Sequence, residues 1–289
     1  MYIATDLHGH TLFSDGRATP EEFIEFRREQ GMRVVSVSDH DVLSAVRRAA
    51  VAAERARLLL IPAVELTSFV GSGTAEAEQF HVLAYYPADI LAGPRLESTF
   101  FYRRGQRVQS KWQAFVLTWL AALSVEDREA LDPESELAAL PPLEFPALQR
   151  MIDLIVARRR SLFEAFRDHH YRFWNDDREL FGWTPEELIE AIRSDGAMDI
   201  VAHPGRYRDK ERTKKVLGLA SGLEVYTSRH KAEVAEGFRA YAAEHRKLWT
   251  ASADDHQNAR YVRPPCGSPV STVERLLRRP LPMSMILAA

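Results

Sequence analysis

The amino-acid sequence predicts an α/β fold in which alternating strands and helices close into a barrel, interrupted by a helical insertion. Three observations predict it. Short apolar runs alternate with capped helical patterns over the first third of the chain and again from about residue 184 onward, as strands and covering helices do in a parallel sheet. Residues of metal-ligand type recur where those runs end, and functional groups at the C-terminal ends of many successive strands favour a closed barrel over an open sheet. Between residues 88 and 183 the alternation gives way to long helical patterns.

Ile3 to Leu7 reads as the first strand. Thr19-Pro20-Glu21-Glu22 then opens a helix: Thr19 can cap it, Pro20 suits the first turn, and Glu22 completes a capping box. That helix runs to Gln30, with Gly31 beyond it. Val34 to Ser38 is β-branched and strand-like, and a helix from about Val42 to Arg57 follows, with Asp41 as its expected cap. Leu58 to Val64 is the third strand, which places Glu65 at its C-terminal end, and Gln79 to Tyr86 is the fourth, holding His81. In the insertion, Arg103 to Leu123 and Leu148 to Trp174 are the clearest helices, separated by an acidic, Pro-containing stretch from Glu126 to Pro146. A second capping box, Thr184-Pro185-Glu186-Glu187, opens a helix to Ser194. Strands follow at Asp199 to Ala202, Leu223 to Tyr226 and Leu248 to Ala253, with a helix from about Lys231 to His245 before the last. The expected division is therefore a barrel domain of residues 1–87 and 184–289 and an inserted helical subdomain of residues 88–183.

Composition excludes several classes of protein. The chain has 289 residues, 46% hydrophobic and 27% charged, with a net charge of −3, so no global basic field points to a nucleic-acid coat or a membrane surface. A single cysteine, Cys266, rules out an internal disulfide and cysteine-rich zinc sites. No signal-peptide pattern opens the sequence, and the longest apolar stretch, Ala114 to Val125, is too short to span a bilayer. A cytoplasmic location without a membrane anchor or an obligate protein partner is expected.

The chemistry is carried by His8, His10, Asp15, His40, Glu65, His81, His203, Asp254 and His256. The sharpest motif is Asp6-Leu7-His8-Gly9-His10, because residues two apart on a strand face the same side and two imidazoles can grip one ion. Asp15, in the turn Ser14-Asp15-Gly16, can add an oxygen ligand. Taken singly, each motif has an ordinary reading as a turn, a helix cap or a core histidine. Together they recur at one structural position, and packed there without metal they would carry a large desolvation cost.

On these residues the chain resembles the polymerase-and-histidinol-phosphatase (PHP) family of metal-dependent phosphoesterases. The matching segments are Asp6 to His10 with Ser14-Asp15-Gly16, Ser38-Asp39-His40-Asp41, Pro62 to Thr67, Gln79 to Leu83, Val201 to Tyr207 and Asp254-Asp255-His256. The resemblance implies a distorted (β/α)7 barrel with a trinuclear centre of divalent Mn, Fe or Zn ions, two to three of them bound. It implies that His8, His10, Glu65 and Asp254 hold one ion, that Glu65 bridges to a second held by His81 and His203, and that Asp15, His40 and His256 hold a third. It further implies that His8, His10, Glu65, His203 and Asp254 carry catalysis through a metal-activated water, whose pKa falls to roughly 7. One departure stands out: the family usually has Gly-Ser before the Asp of its last motif, where this chain has Ser252-Ala253, so a small hydroxyl beside the site is lost.

The Ser14-Asp15-Gly16 form and the insertion look like the nucleotide-directed members, so the expected substrate is a small phosphorylated molecule, a nucleotide or a short oligonucleotide. The alternatives are a histidinol-phosphate-type phosphatase, a non-catalytic PHP module, and C–N hydrolysis; the last is disfavoured because no lysine stands at a matching strand end. Candidate substrate-binding residues are Arg206, directly after His203-Pro204-Gly205, and Arg103 and Arg104 in the basic, aromatic stretch Phe100 to Trp112.

Overall fold

The computed structural model describes residues 1–71, 74, 77–259 and 267–287; Cys266 lies outside them. Its strands are β1 (Tyr2–Ile3), β2 (Thr5–Asp6), β3 (Val34–Val35), β4 (Leu59–Leu60), β5 (Ala63–Val70), β6 (Glu78–Tyr85), β7 (Met198–Val201), β8 (Gly222–Tyr226), β9 (Leu248–Ala251) and β10 (Ser268–Pro269). They form three sheets among the described residues, β1-β10, β2-β3-β4 and β5-β6-β7-β8-β9. The mixed α/β class is as expected, but the strands do not make one closed ladder. Among the described residues, backbone pairing between the three-stranded sheet and the five-stranded one is limited to isolated bridges, Gly9 to Asp255 and His40 to Glu65.

The five-stranded sheet is also not all parallel. β5 pairs antiparallel with β6 over eight residue pairs, from Ala63–Tyr85 to Val70–Glu78, and β6 pairs antiparallel with β7. β5 ends at Val70 and β6 begins at Glu78, a connection too short for a parallel crossover, so the chain returns beside itself, the antiparallel solution. Glu65 is therefore the third residue of a long strand, not the residue after its end, and His81 lies in the middle of its partner. The register sets Glu65 opposite Leu83 and Thr67 opposite His81, so Glu65 and His81 share a face as diagonal neighbours.

The helices are α1 (Pro20–Glu29), α2 (Val46–Ala56), α3 (Phe100–Ala121), α4 (Val125–Leu131), α5 (Leu148–Arg158), α6 (Phe163–Asp176), α7 (Arg178–Phe181), α8 (Pro185–Ser194), α9 (Lys210–Leu219), α10 (Ala232–Glu244), α11 (Val270–Leu277) and α12 (Met283–Leu287). Both expected capping boxes form, Thr19 with Glu22 and Thr184 with Glu187. Other expectations need correction. α2 starts at Val46 behind Ala45 and has no side-chain cap, because the Asp41 carboxylate is taken by the Thr67 N–H and hydroxyl and by Arg104. The acidic stretch contains α4, capped by Ser124, and the long helix expected to Trp174 breaks after Arg158 into α5 and α6. None of these helices is long and apolar enough to cross a membrane.

α3 to α7 build their own core from Trp112, Val116, Trp119, Met151, Phe166 and Phe173 among others, and Val42 and Phe69 of the α/β part pack into it. α3 approaches the Asp41 loop closely: a Cβ on Gly105 would lie 3.0 Å from the Asp41 carbonyl oxygen and 3.2 Å from the Val42 Cα. Glycine at this point sets the inserted helices against the edge of the sheet where the ligand residues gather.

Candidate metal centre

His8 and His10 leave β2 around the Gly9 bridge, so their rings turn inward together, 5.1 Å apart between centroids. The loop behind them is pinned by Asp39, which accepts hydrogen bonds from the Thr11 N–H at 2.7 Å, the Thr11 hydroxyl at 2.6 Å and the Ser14 hydroxyl at 2.6 Å. Gly16 closes the turn; a Cβ there would fall 2.3 Å from the His10 carbonyl oxygen. This loop delivers Asp15, whose carboxylate lies 3.5 Å from His10 Nδ1 and 3.2 Å from His256 Nε2.

Glu65 is the hub. Its Oε2 lies 3.0 Å from His8 Nε2, 3.3 Å from His10 Nε2 and 3.2 Å from His40 Nδ1, while its Oε1 lies 2.9 Å from His81 Nδ1 and 3.0 Å from His203 Nε2. Asp254 completes the inner wall, 3.4 Å from His10 Nε2. The structure thus brings all nine sequence-predicted ligand residues into one cluster. Three groups offer one donor atom each within 4.8 Å of one another: His8-His10-Glu65-Asp254, His10-Asp15-His40-His256, and His40-Glu65-His81. The third differs from the expected grouping, with His40 in the place assigned to His203.

The donor set fits divalent cations. Nδ1 of His10, Oε2 of Glu65, both ring nitrogens of His81 and Nδ1 of His203 are buried without a hydrogen-bond partner. Atoms of this kind are rarely left orphaned in a folded interior, and a cation meets their need. Titration points the same way. Burial opposes charge on His8 and His10, yet the surrounding carboxylates outweigh it, raising His8 well above its usual value and pushing His10 up to about 10. Burial likewise opposes charge on Glu65 and Asp254, but the imidazoles hold both well below the usual carboxylate range. His40 falls to about 4, and His203 falls too, chiefly through burial. The carboxylates thus demand positive charge that only some of the imidazoles can supply as protons.

Two backbone positions are strained to place ligands. His203 has φ of +29° and Asp254 has φ of +49°, a region that side chains rarely occupy. The His203 turn is held from outside by His230, whose Nε2 accepts from the Gly205 N–H at 3.0 Å.

Sequence reading missed two residues of the site. Glu224, fully buried in β8, accepts from His8 Nδ1 at 3.0 Å and from the His203 N–H at 2.8 Å. Its signal was a lone carboxylate inside an apolar strand. The Ser252 hydroxyl donates to Glu224, so the hydroxyl of the last motif supports the cluster one residue earlier than the family pattern has it. Arg229, in the loop after β8, donates through Nε to Asp254 Oδ2 and is only partly exposed.

The expected substrate-binding arginines lie elsewhere. Arg104 is a correction: its guanidinium is buried, donating to Asp41 at 2.9 Å and to the Leu180 carbonyl, so none of it is offered to a ligand. Its neighbours Arg107 and Lys111 pair with Glu179 and Asp177. Arg103 and Arg206 are exposed.

Residues 6–129 match the family model of the PHP domain. That stretch, which holds His8, His10, Asp15, His40, Glu65 and His81, is similar to the PHP domain of metal-dependent phosphoesterases. The chain aligns at 24% identity with the 5'-3' exoribonuclease Rnm of Escherichia coli K12, over 90% of this chain and 87% of that one. It aligns at 24% identity with the 3',5'-nucleoside bisphosphate phosphatase of Chromobacterium violaceum, over 87% and 86% of the two chains. Among solved structures, a protein of Bifidobacterium adolescentis inferred to be a metal-dependent phosphoesterase superposes with a TM-score of 0.65 at 22% identity, covering 98% of both chains. An amidohydrolase of Chromobacterium violaceum, solved with bound sulfate and no metal, superposes with a TM-score of 0.62 at 21% identity, covering 97% of this chain and 99% of that one.

Proposed function

We propose that the protein hydrolyses a phosphate ester of a nucleotide or a short oligonucleotide, using two to three divalent ions of the Mn, Fe or Zn type. The observation that carries this reading is the clustering of six imidazoles and three carboxylates, five of the imidazoles on Glu65, with buried donor atoms left unpaired. The relatives named above as an exoribonuclease and a nucleoside bisphosphate phosphatase support the nucleotide preference. In this reading residues 1–87 and 184–289 form the catalytic barrel unit, of the seven-stranded type, and residues 88–183 form a lid that selects the substrate.

His8, His10, Glu65 and Asp254 would hold one ion, His81 and His203 with Glu65 a second, and Asp15, His40 and His256 a third. Bound divalent ions supply an activated water at neutral pH and the positive charge that the developing phosphoryl oxygens need. The protein supplies the rest. Glu224 accepts the His8 Nδ1 proton, which fixes the tautomer and leaves Nε2 free toward Glu65. Through the His203 N–H it also holds the strained turn that aims the His203 ring. Asp39 orders the loop that carries Asp15. Arg229, beside Asp254 at the opening, is placed to meet a phosphate oxygen with its remaining N–H groups. Arg103 and Arg206 stay candidates for more distant contacts with substrate.

The test is hydrolysis by the metal-loaded protein of a panel comprising a nucleoside monophosphate, a bisphosphate, a short oligonucleotide, histidinol phosphate and phenyl phosphate. Turnover that chelator abolishes and added metal restores, fastest on a nucleotide, is the expected result. A preference for histidinol phosphate would replace the substrate assignment, and no turnover of any ester would overturn the enzyme reading.

A further inference from the structure

Beside the metal centre lies a cavity of about 500 Å³ between the sheet edge and the inserted helices, with Asp15 and His40 on its inner wall. We propose that this cavity seats a heteroaromatic ring of the substrate, of nucleobase type, and that Gln109, positioned by Ser44, reads an acceptor atom on that ring. The proposal rests on the phosphoesterase reading and deepens it by assigning the group joined to the scissile phosphate.

The remaining walls are mostly apolar and aromatic, with Phe13, Trp112, Phe145 and Trp174 contributing rings. Flat rigid walls of this kind stack planar ligands at little entropic cost. Trp112 is immobilised for the purpose: its Nε1–H donates to the Pro146 carbonyl at 2.9 Å, and its ring packs edge-on against Phe173. The cavity is thus a preformed slot of a size that suits a small ligand.

Charge on the lining argues against a phosphate chain as its occupant: the carboxylates of Asp15, Asp41 and Glu144 outnumber the guanidinium groups of Arg48 and Arg150. Arg48 reaches the wall, but its guanidinium is paired with Glu21 through two hydrogen bonds, at 3.0 Å and 2.7 Å. The basic side chains of α3 nearest the cavity, Arg104, Arg107 and Lys111, are bound to Asp41, Glu179 and Asp177.

One polar pair on the wall gives the ring its specificity. The Ser44 hydroxyl donates to Gln109 Oε1 at 2.9 Å. With its oxygen engaged, the Gln109 side chain offers amide N–H donors to the cavity. A plain hydrocarbon ring or an acyl chain would fill the same space and leave those donors unmet, whereas a ring nitrogen or ring carbonyl satisfies them. Gln109 stands one turn from Gly105 on α3, so the helix that docks by its glycine also carries the reader.

The experiment uses the full chain in chelator, so that metal chemistry is silent, and follows intrinsic tryptophan fluorescence during titration with adenosine and, separately, with phenol. Saturable quenching by adenosine is expected. Gln109→Leu, checked for native circular dichroism, should weaken adenosine binding about five- to tenfold, the scale of one net hydrogen bond, with a smaller effect on phenol. Ser44→Ala, which leaves the glutamine in place but unheld, should weaken adenosine less. With metal restored, the ratio of kcat/KM for adenosine monophosphate to that for phenyl phosphate should fall in Gln109→Leu by a similar factor, mainly through KM. Absence of tryptophan quenching by adenosine overturns the ring seat, and unchanged adenosine affinity in Gln109→Leu overturns the reading residue. If esters are hydrolysed and adenosine does not bind, only this inference fails. If adenosine binds and no ester is hydrolysed with any metal, the phosphoesterase reading fails and the ring seat stands.

Discussion

Glu224 and His8 form a fully buried pair, with His8 Nδ1 donating to Glu224 Oε1 at 3.0 Å while the opposite ring nitrogen faces Glu65. A carboxylate behind a ligating imidazole fixes its tautomer and raises its basicity, and losing such a partner typically costs about 10- to 100-fold in metal affinity. Glu224→Gln preserves the volume, so the fold should survive while the metal is bound that much more weakly. Competition with a chelating dye checks it; unchanged affinity would make Glu224 a purely structural residue.

Glu65 touches five imidazoles, more than any single ion needs. Metal analysis of the replete protein should find two to three equivalents, and Glu65→Gln should lose more than one, whereas His256→Ala should lose at most one. Bound metal should also raise the thermal midpoint, since a ligand at about 100 times its Kd stabilises by about 2.7 kcal/mol. A replete stoichiometry at or below one would sink the multinuclear reading.

Arg104 is a packing arginine. Arg104→Met would leave the Asp41 carboxylate, which is 1% exposed, with its Thr67 hydrogen bonds but without a positive partner. Breaking one side of a buried pair costs about 3–5 kcal/mol, and denaturant unfolding should show a loss of that size. Arg103→Ala, on the exposed face of the same helix, should stay within about 0.5 kcal/mol of the parent.

Arg229 and Arg206 make a discriminating pair. Arg229 sits on Asp254 at the mouth of the centre, so Arg229→Ala should lower kcat on every phosphate ester, by on the order of 10²-fold if it stabilises charge on the reacting phosphate. Arg206→Ala should act, if at all, through KM for the larger substrates. Equal and small effects from both variants would remove Arg229 from the reaction.

The features legible in the chain alone were local. The Thr19–Glu22 and Thr184–Glu187 boxes formed because each needs only residues three apart. The paired imidazoles of His8 and His10 and the Asp15 turn were legible for the same reason: spacing along one segment decides which way their side chains point. The other ligand residues were legible by their recurrence where apolar runs end, and family resemblance then added how the nine would group around the ions. Tertiary structure alone decided the rest, because it turns on partners distant in the chain. Asp41 looked like a helix cap but is claimed by Thr67 and Arg104. Glu65 looked like a strand-end residue, yet the β5–β6 hairpin carries it inside a strand and matches it to His81 by register. Arg104 read as a ligand for substrate, while the close packing at Gly105 turns it into the protein. Glu224 was one carboxylate among many until β8 was laid beside the strand ends that carry His8 and His203. A side chain's chemistry is written in its own residue, but its solvation and its charge partners are set by whatever the fold brings against it, and those two terms decide whether it caps, ligates or packs.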